Sequence, residues 1–189
     1  MSEKVKRKRT EKKLLMISGF IQAFCTHGLD GTHIRALAAA VGVSEALIYR
    51  YFESKDDIIR QCTVLYHEQV QKELVRIFEV YIYSPDEMAE KLLEYLDSVI
   101  DICRFLFQVM AHPIYCKMTE DTQRLTYSYI LHASDLFQEK IGVPEEVATG
   151  AAFLITSMID EYILKRSRSS FLIQFRTIER MVVEPGKSP

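Results

Sequence analysis

The side chains best suited to bonding an anion crowd the first third of this 189-residue sequence. Residues 1–60 hold eleven Lys and Arg against seven Asp and Glu, net +4, while the remaining 129 hold thirteen against nineteen, net −6. The overall charge of −2 therefore hides a basic start and an acidic remainder. Lys4, Lys6, Arg7, Lys8, Arg9, Lys12 and Lys13 form a run dense enough to gain affinity for DNA by releasing its counterions. Alone, such a run reads equally well as a solvated, disordered terminus. Beside a DNA-reading element it reads as a flexible arm that touches phosphates or enters the minor groove.

Other chemistry has little support. No nucleophile and base stand at motif spacing, and no Gly-rich loop could cradle a phosphate. Asp160-Glu161 is the one carboxylate pair on an apolar stretch, and a salt bridge or an interface accounts for it more simply than acid catalysis. Cys25, Cys62, Cys103 and Cys116 lie far apart with no Cys-x-x-Cys pair, which argues against a disulfide framework or zinc ribbon. His112 and Cys116 are four apart and could share a metal on a helix, but Pro113 interrupts that helix. Cys25 and His27 point to different sides. No metal, no cofactor and no enzyme are expected.

The anion-bonding groups need elements to aim them, and residues 31–59, GTHIRALAAAVGVSEALIYRYFESKDDII, supply a pair. Ile34, Leu37, Ala38 and Val41 recur at i, i+3, i+4 and i+7, giving a short helix that the Thr32 hydroxyl can cap. Gly42 ends it, since glycine accepts a left-handed backbone without penalty. Ser44 caps a second helix with Ile48 and Phe52 on its buried side and Ala46, Tyr49 and Arg50 opposite. This geometry is a helix-turn-helix, in which a short second helix carries outward groups to phosphates and base edges. Arg35 and Arg50 are placed to reach a guanine edge, with Ser44 and Ala46 close to the groove, though each could instead contact only phosphate. Tyr49 suits a phosphate or a thymine methyl. A preceding helix, about Thr10 to Thr26, buries Leu14, Ile17, Phe20, Ile21 and Phe24, and Gly28 stops it.

Gly31-Thr32, the spacing of Ile34, Leu37 and Ala38, the turn Val41-Gly42-Val43-Ser44, the run Tyr49-Arg50-Tyr51-Phe52 and Lys55 together resemble the TetR family of one-component transcriptional regulators. A glycine turn alone is weak evidence, but Tyr-x-Tyr-Phe-x-x-Lys at a fixed distance from Gly-Val-Ser is specific. The resemblance covers about the first third of the chain; the rest matches in length and helical character. It implies that Thr32, Tyr51 and Lys55 touch the DNA backbone. Glu45 departs from the pattern, many relatives having Lys or an uncharged residue there. Its carboxylate could accept from a cytosine amine or hold Arg35 or Arg50, but it also suits a helix N-terminus, the simpler account. Leu47 could meet a thymine methyl or fill the headpiece.

From Lys55 to about Tyr83, Ile58, Ile59, Cys62, Leu65, Tyr66, Leu74, Ile77, Phe78 and Tyr81 keep helical spacing. At 1.5 Å per residue this helix reaches roughly 40 Å. The resemblance implies that it transmits ligand state to the separation of two reading heads. Ser84-Pro85-Asp86 starts a helix that buries Met88, Leu92, Leu96, Val99 and Cys103; Arg104–Met110 is apolar nearly all round and ends at His112-Pro113; Thr119 through Lys140 forms another helix, stopped by Gly142. Pro144 opens a helix to about Arg166, and Ser169 to Val183 forms the last one; Glu184 to Pro189 reads as a frayed tail.

The later part is rich in large, soft side chains. Phe78, Tyr81, Tyr95, Phe105, Phe107, Met110, Tyr127 and Met158 are candidates to line an adaptable apolar pocket. Each alone is more simply a core residue; as a set, the resemblance supplies the reason for a pocket, for an apolar or aromatic ligand such as a fatty acyl chain or an amphipathic toxicant. The penultimate helix carries small residues over 147–152 and two apolar faces, which need two partners. Ala151, Ile155, Met158 and Tyr162, with Phe171, Phe175, Ile178 and Met181 of the last helix, are candidates for a four-helix interface with a second subunit.

These readings converge on an all-α fold. Residues 1–54 form a three-helix DNA-binding head with a basic arm, and residues 55–189 a helical ligand-binding and dimerisation body. No apolar run approaches the ~20 residues that span a bilayer, so a cytoplasmic protein without a membrane partner is expected. The function expected is sequence-specific binding of a near-palindromic operator by a homodimer, most plausibly a repressor released by a small apolar or aromatic ligand. A ligand-independent DNA-binding or protein-partner-binding regulator on the same fold is the alternative.

Overall fold

The computed structural model describes residues 3–183. The tail expected to fray, residues 184–189, lies outside them, as do the side chains of Lys4 and Lys6. Every described element is helical: α1 (Glu3–Gly31), α2 (Ile34–Ala40), α3 (Glu45–Tyr49), α4 (Lys55–Tyr81), α5 (Pro85–Ser98), α6 (Ile100–Ala111), α7 (Glu120–Leu136), α8 (Glu145–Lys165) and α9 (Arg168–Val183). A 3₁₀ turn (Tyr115–Thr119) precedes α7, and a π turn (Phe137–Ile141) follows it. The all-α expectation holds among the described residues.

The basic start is not an extended arm: α1 is helical from Glu3, seven residues before the expected onset at Thr10. Lys and Arg are good helix formers, and Arg7 pairs with Glu11 one turn on at 2.9 Å. Gly28 breaks the helical path with φ 71°, where a residue with a Cβ would be strained. Ile17, Phe20, Ile21 and Phe24 are buried as expected, but Leu14 is 45% exposed and Met16 takes the inner position.

The chain packs as two compact units, one of residues 1–67 with 101–120 and one of 68–100 with 121–189. Unit 1 is built on aromatic rings at the crossing of its helices. Phe20 meets Phe52 edge-on at 5.5 Å, and Phe24 meets Phe105 at 5.3 Å. Leu37, Ile48, Ile58, Ile59 and Cys62 close the same core, so both reading helices are anchored by single fully buried side chains. Gly19 permits α2 to approach α1: a Cβ built on it would lie 2.4 Å from Cγ1 of Val41.

Unit 2 packs α8 and α9 against α5 and the π turn. Tyr162 stacks edge-on with Phe171 at 5.4 Å, and its hydroxyl donates to Asp97. Arg166, in a left-handed C-cap with φ 57°, donates to the same carboxylate at 2.6 Å. The Tyr162 hydrogen bond, with the Arg166 guanidinium, holds the Asp97 carboxyl below the usual range. Val99 breaks the helix expected to run through Cys103, which instead belongs to α6. By length and a mean hydropathy of 1.4, α8 is long and apolar enough to cross a bilayer, which corrects the search for an uninterrupted apolar run. Of that stretch 44% is buried in the protein, while Phe153, Leu154 and Leu164 stay exposed on the same helix.

Candidate nucleic-acid interface

The reading pair begins where α1 ends. Because α1 ends at Gly31, the carbonyls of residues 28–30 have no helical N–H four residues on, and side-chain donors take that place. Thr32 is fully buried and its hydroxyl donates to Gly28 O at 2.6 Å, with Ala23 O at 3.3 Å. Lys55 Nζ donates to Leu29 O at 3.0 Å and Asp30 O at 3.4 Å. The hydroxyl of Thr32 therefore does not cap α2, whose N-cap is His33 with no side-chain cap. Both groups expected to face DNA phosphates are turned onto backbone carbonyls that the end of α1 leaves without helical partners.

The rest of the site is aimed outward. Gly42 takes φ 66° in the turn, and Ser44 caps α3 by accepting from Leu47 N at 3.3 Å. Glu45 occupies the first turn of α3, where a carboxylate meets the positive end of the helix. Arg35, Ser44, Glu45, Ala46, Tyr49 and Arg50 are exposed, and Tyr51 is half-buried. Leu47 packs against the core and so fills the headpiece. α3 is only five residues long and is held from its far end as well. Arg9 Nη2 donates to Arg50 O at 3.1 Å and its guanidinium lies 5.6 Å from the Tyr51 ring, while Lys13 Nζ lies 5.2 Å from the Phe52 ring. This brings α1 cations beside the reading helix, a pairing across 41 residues that no local spacing signals.

A second set of contacts reaches the same region from residues 112–115. His112 Nδ1 accepts from the backbone N–H of Ile114 at 3.2 Å and of Tyr115 at 3.3 Å, so its proton sits on Nε2. That Nε2–H faces both oxygens of Asp30 at 3.2 Å. Tyr115, buried and packed at a tilt against His112 with ring centroids 4.4 Å apart, donates its hydroxyl to Asp56 Oδ1 at 2.9 Å. Burial, then the Asp56 carboxylate, pushes the phenol up to about 12. Cys116 does not share a site with His112: its thiol turns to Pro113 O at 3.6 Å. None of the four cysteines is joined in a disulfide, and no cluster of three metal-ligating side chains occurs among the described residues.

The side chains expected to line one ligand pocket are not gathered around one cavity within either unit. Phe105, Phe107 and Met110 lie in unit 1, where Phe105 is a fully buried core ring and Met110 is exposed. Phe78, Tyr81, Tyr95, Tyr127 and Met158 lie in unit 2; Phe78 packs on Phe137, Met158 is core, and Tyr127 is 53% exposed. An apolar cavity in unit 2 uses none of them. It holds about 50 Å³ and is lined by Ile82, Pro85, Met88, Phe137, Ile155, Phe175 and Ile178, among others.

Of the expected dimer face, Met181 is exposed and the others are covered. Ala151, Ile155, Met158, Tyr162, Phe175 and Ile178 are all buried by their own chain. The apolar positions left exposed on α8 and α9 are Phe153, Leu154, Leu164, Ile173, Met181 and Val183. Glu161 accepts from Gln174 and Lys165, whereas burial raises the Asp160 carboxyl to about 6.

Comparison with known proteins agrees with the reading head. Residues 21–62 match the family model described as bacterial regulatory proteins, tetR family. The HTH-type transcriptional regulator AcrR of Shigella flexneri is 23% identical over 140 residues, 74% of this chain but only 57% of that relative's length. A TetR-family transcriptional regulator from Mesorhizobium loti MAFF303099 superimposes with a TM-score of 0.69 at 14% identity, over 92% of this chain and 96% of the other. The regulator FadR from Bacillus subtilis, solved in complex with stearoyl-CoA, does so with a TM-score of 0.62 at 14% identity, over 90% and 97%. At such identities the structural likeness speaks for the fold.

Proposed function

The chain belongs to the TetR family of transcriptional regulators, and from that premise we propose that it is a homodimeric repressor that binds a near-palindromic operator and leaves it when a small apolar or aromatic ligand binds. The observation that carries the DNA half is the exposed arc of Arg35, Ser44, Ala46, Tyr49 and Arg50 on two short helices whose inner side is fully packed. In this reading residues 1–54 serve DNA and residues 55–189 serve ligand and second subunit, in the cytoplasm. Arg35 and Arg50 reach base edges, and Tyr49 and Tyr51 meet phosphates. Thr32 and Lys55 act from within, by holding the kinked exit of α1. The test is binding to the DNA upstream of the protein's own coding region across a salt series. Arg50→Ala should cost about 1–3 kcal/mol of specific affinity. Binding that stays weak, steeply salt-dependent and indifferent to Arg50→Ala would remove the reading.

For the dimer, the exposed set on α8 and α9 replaces the buried one, because a side chain covered by its own chain has no area to give a second. Leu154→Glu with Ile173→Glu should turn a dimer into a monomer in sedimentation; a dimer that persists points to another face.

A fatty acyl chain is the effector class that the aromatic and methionine surplus suits, and FadR was solved with an acyl thioester. Such a ligand releases the operator only if it binds the DNA-incompetent arrangement more tightly than the competent one. One observation favours the ligand-independent alternative: the apolar cavity beside Met88 and Phe175 holds about 50 Å³, far below the ~300–1,000 Å³ of ligand clefts. Operator affinity that stays constant across acyl compounds shown to bind the protein would establish that alternative.

A further inference from the structure

We propose that His112 and Tyr115 are positioning residues for operator recognition, acting as a staple that closes both ends of the helix-turn-helix. The inference rests on the reading that α2 and α3 read DNA. The segment from Thr32 to Ser54, which holds both reading helices, leaves the rest of the head at two points. One is Asp30, just past the Gly28 break; the other is Asp56, in the first turn of α4. The two carboxylates are bound by one short turn: His112 holds Asp30, and Tyr115 holds Asp56.

The turn is rigid in its own right. Two backbone N–H groups fix the tautomer and orientation of the imidazole, and the Tyr115 ring packs at a tilt against it. Moving either contact disturbs the other. Lys55 adds a third tie, from the start of α4 to the carbonyls of residues 29 and 30, so entrance and exit of the reading segment are held to each other and to residues 112–115.

The staple contributes geometry more than stability. The Asp30 side chain is 83% exposed, and a pair so open to water adds little to folding. A base-reading helix is more demanding, since bidentate contacts to base edges fail with small shifts in pitch, while phosphate contacts by flexible Lys and Arg tolerate them. Loosening the staple should therefore lower discrimination between operator and unrelated DNA and leave non-specific binding alone.

The experiment uses the full chain. Wild-type protein selects its preferred duplex from a random library. Tyr115→Phe, His112→Ala and His112→Gln are then measured against that duplex and a scrambled one, with circular dichroism to verify folding. Tyr115→Phe keeps the buried ring and removes only the donor, so it stands if His112→Ala fails to fold. The expected result is a loss of about ten-fold in the specific-to-scrambled ratio for Tyr115→Phe and His112→Ala. Scrambled-duplex affinity and its salt slope should be unchanged, and His112→Gln, which can still donate to Asp30, should recover part of the loss. Folded Tyr115→Phe with a wild-type ratio overturns the staple and leaves the proposed function standing. A wild-type protein that prefers no duplex overturns both.

Discussion

Two helix pairs in this molecule look alike in outline and differ in what they leave exposed. α2 and α3 bury a few apolar side chains and present Arg35, Ser44, Tyr49 and Arg50. α8 and α9 bury a longer face and present Phe153, Leu154, Leu164, Ile173 and Met181. The first outer face suits a polyanion, the second another apolar surface. The contrast also shows when a sequence reveals its faces. On α2 and α3 each apolar residue has only one direction in which to be buried. α8 is apolar on both sides, so the pattern left its inner and outer faces interchangeable, and the dimer set was assigned to the covered one.

The largest effect that would break this contrast concerns the ring supporting the reading pair. If Phe105 is core rather than pocket lining, Phe105→Ala should cost about 3–5 kcal/mol in denaturant unfolding. Tyr127→Ala, at an exposed ring from the same expected pocket, should stay within about 0.5 kcal/mol. A cost at Phe105 as small as that at Tyr127 would show that the Phe105 ring does not support the head.

Next in size is the approach of α2 to α1. Gly19→Ala places a Cβ against the short, branched Val41, which cannot swing away, and should destabilise unit 1 by about 1–3 kcal/mol. A neutral result in thermal unfolding would show that α2 can shift outward, and the fixed pitch of the reading pair would be lost with it.

The smallest effect sharpens the α8 side. Burial raises Asp160 to about 6 from an ordinary value of 3.8, so the folded protein takes up its proton more readily than the unfolded chain. Below about pH 3 both forms are protonated and the group is neutral in effect. As pH rises to 6 the unfolded chain ionises first and wild-type stability falls; above 6 the penalty is complete. Asp160→Asn should therefore match wild type near pH 3 and exceed it by roughly 1–2 kcal/mol above pH 6, after discounting for partial exposure. A difference that does not grow between about pH 3 and 6 would place Asp160 in water. Asp97, held low by Tyr162 and Arg166, has the opposite sign: its contribution is present above the unfolded value and lost as pH falls through the folded one.

Much of the reading head was legible because its signals are local. Ser44 caps within three residues, Gly42 takes the left-handed turn, and Ile48 and Phe52 bury the inner side of α3 and the turn after it; each follows from backbone sterics and helical period. The break at Gly28 was also visible, but a glycine does not say which donors will satisfy the carbonyls at the end of α1. Thr32 and Lys55 were found by their place in the motif and given the wrong direction for that reason.

By itself, then, the sequence determined an all-α chain with a basic start, a helix-turn-helix and its outward groups, because helical period, caps and turns act over a few residues. Only the tertiary structure decided that Arg9 holds the end of α3, that Gly19 must lack a side chain, that Phe105 supports the head, and that Asp30 and Asp56 meet His112 and Tyr115. Those pairings join residues 41 to 82 positions apart in three of these cases. Hydrogen bonds and packing depend on distance in space, and no periodicity along the chain encodes which distant segments will meet.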